Sequence, residues 1–297
     1  MTKDNIMGTS VSHNLDISQI DGIGKGSFAQ VGRIKQSEYV IKVASNDAHE
    51  HFDREKVVYE RLQHHPNILH FHGEVCVTSS ERTLRGLLLE YHPLGTLDKF
   101  ISQSDLNLRR LEWQKQAIEA VRYVHSRGVI HGDLGCHNFL VKSDGQLALA
   151  DFGGSRIDGL NCLEFSLARY TRPDTDNDGL EPTEKDDIFA LGTILYEIST
   201  NQLLYQDLDD AQVRTRFLER QHPSFVGVSE ALKLVIIRCW MGYYDSVDEL
   251  VRDLDEFEAP SSCWPSARSL VALGLFSATV ATIFAISIRR YSLYRLR

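Results

Sequence analysis

Lys42, Glu55, Asp133, Asn138 and Asp151 are the residues of this chain whose types and order suit one kind of chemistry. In-line phosphoryl transfer needs a group to orient the attacking hydroxyl and oxygen ligands for a metal that bridges phosphates. In "VIHGDLGCHNFLV", residues 129–141, Asp133 follows a helix–loop transition, Asn138 comes shortly after it, and Asp151 opens "DFGG". One carboxylate near a hydroxyl and an Asn/Asp pair on a metal would meet that need. Lys42 lies in the middle of an apolar strand, "YVIKVA". A buried lysine is costly unless a partner or an anionic ligand holds its charge. Glu55, on the helix that follows, is the obvious partner; the alternative is a lysine whose stem snorkels to the surface.

A second group of residues fits the same chemistry less specifically. Gly24 and Gly26 in "GIGKGSFAQV" sit between two strand-like runs, where backbone N–H groups could approach phosphates with no Cβ in the way. An ordinary hairpin turn explains them as well, and Ala29 stands where a third glycine would complete the pattern. The cluster "HHPNILHFHG" (His64, His65, His70, His72) invites a metal reading. Two of these flank a Pro-Asn turn and two lie along a strand, so they need not converge on one point.

The elements that must position these residues follow from the pattern. Three β-rich runs, "ISQIDGIG", "AQVGRIK" and "EYVIKVA", predict an antiparallel meander. The charged stretch after them carries Phe52, Val57, Val58, Tyr59 and Leu62 at helical spacing and stops before Pro66. Two further strands, "ILHFHGEVCV" and "RGLLLEY", complete a small lobe of five strands and one helix. Beyond them the chain turns helical. "LRRLEWQKQAIEAVRYVHSRG" places Leu111, Ile118, Val121 and Val124 on its apolar side, with Gly128 as a stop. A strongly apolar helix, "KDDIFALGTILYEIST", and amphipathic helices run to about Glu258. The order predicts an α+β chain with a strand-rich lobe, a helix-rich lobe and a cleft near residues 90–95.

Composition narrows the classes. The chain has 297 residues, enough to bury a core, and a formal net charge of −9, which argues against a general nucleic-acid partner. Five scattered cysteines, with no C-x-x-C pair, read as reduced thiols. Cys136, beside the catalytic-looking loop, is either a reactive thiol or a small packed side chain. The N-terminus lacks the apolar run of a secretory signal, so the folded part is expected to face the cytosol.

Taken in order, "GKGSFAQV", "VIKVA", Glu55, "HHPNIL", "LLLEYHPLGTL", "VIHGDLGCHN", "LADFGG" and "KDDIFALGTILYEI" resemble the eukaryotic protein kinase domain from about residue 17 to 258. The resemblance implies a bilobal kinase-like fold that uses ATP and Mg²⁺. Gly24, Gly26 and Val31 would then cover the nucleotide, Lys42 would contact its α and β phosphates, and Glu55 would hold Lys42. Asp133 would be the catalytic base, with Asn138 and Asp151 as Mg²⁺ ligands. Leu89 falls at the gatekeeper position, and the backbone of Glu90 to His92 would hold the adenine. The HGDxxxxN pattern also resembles aminoglycoside and choline phosphotransferases. The downstream "DDIFALGTILYEI" and the "RCW" that contains Cys239 resemble the large-lobe helices of protein kinases instead.

Four positions depart from the kinase pattern. Gly132 stands where most members have an arginine that neutralises a phosphate on the activation segment, so a switch by that route is not expected. Gly135 replaces the lysine that serine/threonine kinases place near the γ-phosphate; tyrosine kinases compensate with an arginine where this chain has His137. Losing one preorganised donor costs on the order of 10² to 10³ in rate, about 3 to 4 kcal/mol. "RPD" stands where "APE" is usual, which puts Asp174 in place of a longer glutamate. The expectation is a slow transfer from ATP to a protein Ser, Thr or Tyr hydroxyl. The alternative is a pseudokinase scaffold that binds nucleotide or a protein partner.

The tail supplies the remaining expectation. Residues 270–288, "LVALGLFSATVATIFAISI", carry no charge and as a helix would extend roughly 28 Å, close to the roughly 30 Å of a bilayer core. The expected plan is a flexible N-terminus (1–16), a small lobe (17–91), a large lobe (92–258), a linker (259–268), a transmembrane helix (269–288) and a basic tail (289–297). Such a chain would be a single-pass membrane protein with its kinase domain in the cytosol. A buried terminal helix is the alternative reading of the same stretch.

Overall fold

The computed structural model describes residues 14–25, 28–45, 48–80, 82–101, 109–163, 166–173 and 181–258. The chain divides into two compact units, Met1–Leu254 and Asp255–Arg297, and of the second only residues 255–258 are described. The apolar stretch 270–288, Gly26 and Asp174 lie outside the described residues. Among the described residues no helix is long and apolar enough to cross a membrane.

The first unit has a sheet lobe and a helical lobe. The sheet contains β1 (Asn14–Asp16), β2 (Ile20–Lys25), β3 (Ala29–Ile34), β4 (Tyr39–Ala44), β5 (Phe71–Thr78) and β6 (Thr83–Glu90), in the order β1-β5-β6-β4-β3-β2. Five strands pair antiparallel, and β2, β3 and β4 form the meander expected from the Val and Ile content of the first three runs. The sixth, β1, is an addition: Asn14 to Asp16, expected in a flexible N-terminus, run parallel to β5. Asp16 then caps a 3-10 turn over Ile17–Gln19, its carboxylate accepting from Ser18 N at 2.8 Å, and β2 starts only after that turn. Ile41, Val75, Val77 and Leu88 form a core cluster on this sheet.

Helix α1 (His49–Leu62) packs on the sheet through Phe52, Val58, Tyr59 and Leu62. Val57, expected on the apolar side, is exposed, because it falls outside the face on which Phe52, Val58, Tyr59 and Leu62 lie. Chain reversal at Gln63, whose φ is +54°, and the Pro66 turn end it. Glu74 of β5 ties this helix to the sheet: it accepts from Lys56 Nζ at 2.8 Å and from Arg85 of β6, which also reaches Asp53. The Arg85 hydrogen bond, helped by Lys56, holds the Glu74 carboxyl down at about 2 against a smaller opposing effect of burial. A depressed folded-state pKa contributes stability that is present above the usual 4.5 and lost as pH falls toward 2. After discount for screening by solvent, Glu74→Gln should cost about 1 kcal/mol at neutral pH, about 3 °C in unfolding midpoint. The gap between variant and wild type should close between pH ~4.5 and ~2. A constant gap across that range would contradict this account.

The helical lobe contains α2 (Leu97–Ile101), α3 (Arg110–Ser126), α4 (Glu184–Thr200), α5 (Asp210–Leu218), α6 (Glu230–Trp240) and α7 (Val247–Glu258). Short strands β7 (Val129–Ile130), β8 (Phe139–Val141), β9 (Leu147–Leu149) and β10 (Arg156–Ile157) pair as β8–β9 and β7–β10 beneath the cleft. In α3, Ile118, Val121 and Val124 are buried as expected, whereas Leu111 is exposed because it lies in the first turn, next to Arg110 and away from Trp113. Gly128 ends the helix region with φ +69°, a conformation that suits glycine. Helix α4 is buried on nearly every side and opens on a capping box from Thr183 and Asp186. It is the post on which the catalytic-looking loop is hung.

Candidate active site

Lys42 sits on β4 opposite Val31 of β3 and Leu87 of β6. Its side chain is only 15% exposed, and its Nζ lies 2.7 Å from Glu55 Oε2 and 2.7 Å from Asp151 Oδ1. The snorkelling alternative therefore does not describe it. Burial works against the ammonium, but the charges of Glu55 and Asp151 outweigh it and raise the Lys42 pKa. Glu55 is 3% exposed, and burial pushes its carboxyl upward against the pull of Lys42. For Asp151 burial is again the largest influence, yet Lys42 wins and holds the carboxyl below its ordinary value. Asp151 is reached by the chain in a left-handed conformation, φ +65°, which costs a non-glycine residue roughly 1 kcal/mol and turns its half-exposed carboxylate toward the cleft.

The second cluster stands on the loop from His131 to Asn138. Its backbone is fixed by Asp187 of α4, whose carboxylate accepts from His131 N at 2.8 Å, Gly132 N at 3.0 Å and His125 Nε2 at 2.9 Å. Asn138 donates its amide to the Asp133 carbonyl at 2.7 Å and to Asp133 Oδ2 at 3.2 Å. His137 Nε2 lies 3.6 Å from the same Oδ2. Burial disfavours the imidazolium, but the hydrogen bond and charge of Asp133, with Asp98 and Asp151 beyond, raise its pKa. Ala150 N donates to the Asn138 carbonyl at 2.9 Å, which joins this loop to the residue before Asp151.

A column of rings links the two lobes behind these groups. Phe71 stacks on Tyr59 at 5.5 Å, Tyr59 meets Phe152 edge-on at 5.2 Å, and Phe152 packs on His131 at 5.0 Å. His131 Nε2 in turn is 3.1 Å from the Ala150 carbonyl. β5, α1, the segment after β9 and the catalytic-looking loop are thereby set in register.

The remaining expected site residues fall as follows. Gly24 pairs with Val31 at the edge of the sheet, and a Cβ there would meet Val31 only at 4.0 Å, so packing alone does not demand glycine. Leu89 is buried on β6, Glu90 ends that strand, and His92 is buried just beyond it. A donor set of one carboxylate, Asp151, and one amide oxygen, Asn138, is hard and oxygen-only, which fits Mg²⁺ shared with phosphates and water. It is too sparse for a dedicated cage, and among the described residues no group of three His, Cys, Asp or Glu could hold a metal ion. The histidines of the "HHPNILHFHG" stretch meet as rings: His64 lies 4.9 Å from His70, and His70 stacks on His72 at 4.1 Å. Burial pushes His72 down to about 4. Cys136 is fully buried, and burial together with nearby Glu197 pushes its thiol pKa well up, so it is a packed side chain.

Gly135 has a neighbour that its sequence position did not reveal. A Cβ on Gly135 would lie 2.4 Å from His137 Cε1 and 2.9 Å from Tyr170 Cε2. Tyr170 is itself anchored by its hydroxyl, which donates to Glu197 at 2.8 Å. The imidazole of His137 thus occupies the space of a side chain at position 135. Asp187 was legible only as part of an apolar helix, although a carboxylate inside such a run is itself a signal.

The sequence profile described as "Protein kinase domain" matches residues 17–241. Serine/threonine-protein kinase CTR1 of Arabidopsis thaliana is 30% identical over 217 residues, 67% of this chain and 26% of that protein. CBL-interacting protein kinase 3 of Oryza sativa subsp. japonica is 32% identical over 203 residues, 62% of this chain and 44% of its own length. Cell division control protein 7 of Schizosaccharomyces pombe is 29% identical over 248 residues, 77% of this chain and 22% of its own. The chain therefore spans less than half the length of each of these relatives.

Proposed function

Because the chain belongs to the protein kinase domain family, we propose that it transfers the γ-phosphoryl group of ATP to a hydroxyl of a protein. The observation that carries the reading is the three-way contact of Lys42 with Glu55 and Asp151, formed in the same cleft as the Asp133–Asn138 pair. In this reading Lys42 holds the α and β phosphates, while Gly24, Gly26 and Val31 cover the nucleotide. Leu89, Glu90 and His92 border the adenine. Asp151 and Asn138 hold Mg²⁺, which when bound screens the charge that builds up on the phosphates. Asp133 accepts the proton of the attacking hydroxyl, and its bond from Asn138 aims the carboxylate. The name of the CTR1 relative favours serine or threonine as the acceptor.

The absence of a lysine at Gly135 makes the transfer slow. His137, whose ring fills that space and whose pKa Asp133 raises, substitutes for the lysine only in part. A second reading draws on the same position: with His137 in the place of a side chain at 135, the cleft serves to bind nucleotide and present a surface to a protein partner. We also place the chain on a membrane through residues 269–288, with the catalytic unit in the cytosol. Protection of an N-terminal tag from protease in intact organelles would overturn that topology.

The test uses the full chain with labelled ATP and a pool of serine-, threonine- and tyrosine-containing peptides. Mg²⁺-dependent transfer, abolished by a chelator, is the expected result. Thermal stabilisation by MgATP without transfer to any peptide would favour the scaffold, and turnover only on small metabolites would overturn both readings.

A further inference from the structure

Four charged side chains of the acidic and basic type are buried among the described residues: Arg54, Glu55, Asp187 and Glu197. Glu55 pairs with Lys42, Asp187 holds the catalytic-looking loop, and Glu197 accepts from Tyr170 and from Leu204 N. Arg54 has no part in that scheme. It lies on α1 beside Glu55, with its side chain 4% exposed. Its Nη1 donates to the Ser155 carbonyl at 2.6 Å and to the Asn161 carbonyl at 2.7 Å, and its Nη2 reaches Glu50 at 3.4 Å. Burying a guanidinium is expensive, and two backbone acceptors at short range are what make this position tenable.

Both acceptors belong to the segment that follows Asp151, and that segment is closed on itself. Leu163 N and Cys162 Sγ both donate to the Gly154 carbonyl, at 2.9 and 2.8 Å. β10 pairs with β7, Cys162 N donates to Glu181 at 2.8 Å, and Arg61 of α1 pairs with Asp158. On the side of the catalytic-looking loop the seat is Gly132, φ +78°, where a Cβ would lie 2.4 Å from Cys162 Sγ. The thiol fills the position from which a longer residue 132 would start. None of these contacts involves a charge added to the segment.

We propose that Arg54 is a positioning residue: from the helix that carries Glu55 it fixes the backbone of residues 155–161, so that Lys42, Glu55 and Asp151 align without phosphorylation of that segment. The inference rests on the kinase reading above. It makes the placement of α1 and the docking of the segment one event, because residues 54 and 55 are consecutive on one helix, Glu55 pairing with Lys42 and Arg54 with the backbone after Asp151.

The test measures kcat and KM for MgATP with the full chain after phosphatase treatment, complete by mass spectrometry, for wild type, Arg54→Met and Arg54→Lys. Losing two charged hydrogen bonds to the segment should lower kcat about ten-fold or more in Arg54→Met, while KM for MgATP shifts less than ~3-fold. Arg54→Lys, which can satisfy one carbonyl, should recover to roughly a third of the wild-type kcat. Hydrogen exchange over 154–163 should rise in the same order. Phosphatase treatment should leave wild-type kcat within about two-fold, whereas a loss beyond about ten-fold would overturn the proposal. So would an Arg54→Met kcat within about two-fold of wild type. If Arg54→Met does not fold, Arg54→Lys decides: wild-type kcat and exchange would overturn the proposal. Wild type with no transfer at all would sink the kinase reading, and this inference with it; an active wild type insensitive to residue 54 would sink this inference alone.

Discussion

Asp133→Ala is expected to lower the rate of phosphoryl transfer on the order of 10³-fold, within the 10² to 10⁴ that a positioned general base contributes. The affinity for MgATP should change less than about three-fold over the same substitution. The split follows from where the bonds run. Asp133 touches the Asn138 amide and His137, whereas the ammonium expected to hold the phosphates is paired with Glu55 and Asp151. Asp133→Asn keeps the shape and should lose as much, because an amide does not accept the hydroxyl proton. Single-turnover kinetics and calorimetric titration of MgATP separate the two quantities. A rate within ten-fold of wild type would remove Asp133 from its proposed role.

Asp187→Ala is expected to be the most damaging change outside the cleft. Three donors, His131 N, Gly132 N and His125 Nε2, converge on this one carboxylate, which is 1% exposed at the residue level. Removing it strands buried N–H groups and should cost about 3 to 5 kcal/mol, a large fraction of the stability of an ordinary domain. For a unit of this size that corresponds to roughly 10 °C in unfolding midpoint. Transfer should also fall in the fraction that remains folded, because Gly132 and Asp133 lose the post that fixes their backbone. Differential scanning calorimetry, with activity normalised to folded protein, gives both numbers. A midpoint within about 2 °C of wild type would contradict the assignment.

Periodicity made much of the fold readable. Strand β4, helix α1 and helix α4 were visible because Val and Ile crowd a short run between turn residues, because Phe52, Val58 and Leu62 share one face, and because α4 is apolar all round. Strand β1 was not, since three residues with one half-buried side chain carry no alternation to detect; they are held by the edge of β5. Val57 and Leu111 show the limit of the same signal: an apolar residue at helical spacing marks a face only when its neighbours decide which way the helix rolls.

The candidate site was legible where residue type constrains chemistry. A lysine inside an apolar strand and a carboxylate on the next helix announce each other, and Lys42 meets Glu55 at 2.7 Å. Arg54 did not stand out, because its partners are carbonyls, and every residue has one. The ring column from Phe71 to His131 was also hidden, as its four members come from four separate segments and no local pattern joins them.

The seat at Gly135 also bears on any attempt to install the missing cation. A lysine there would bring its first side-chain carbon against the imidazole of His137 and the ring of Tyr170, so Gly135→Lys can be accommodated only if those rings shift out of the space they now fill.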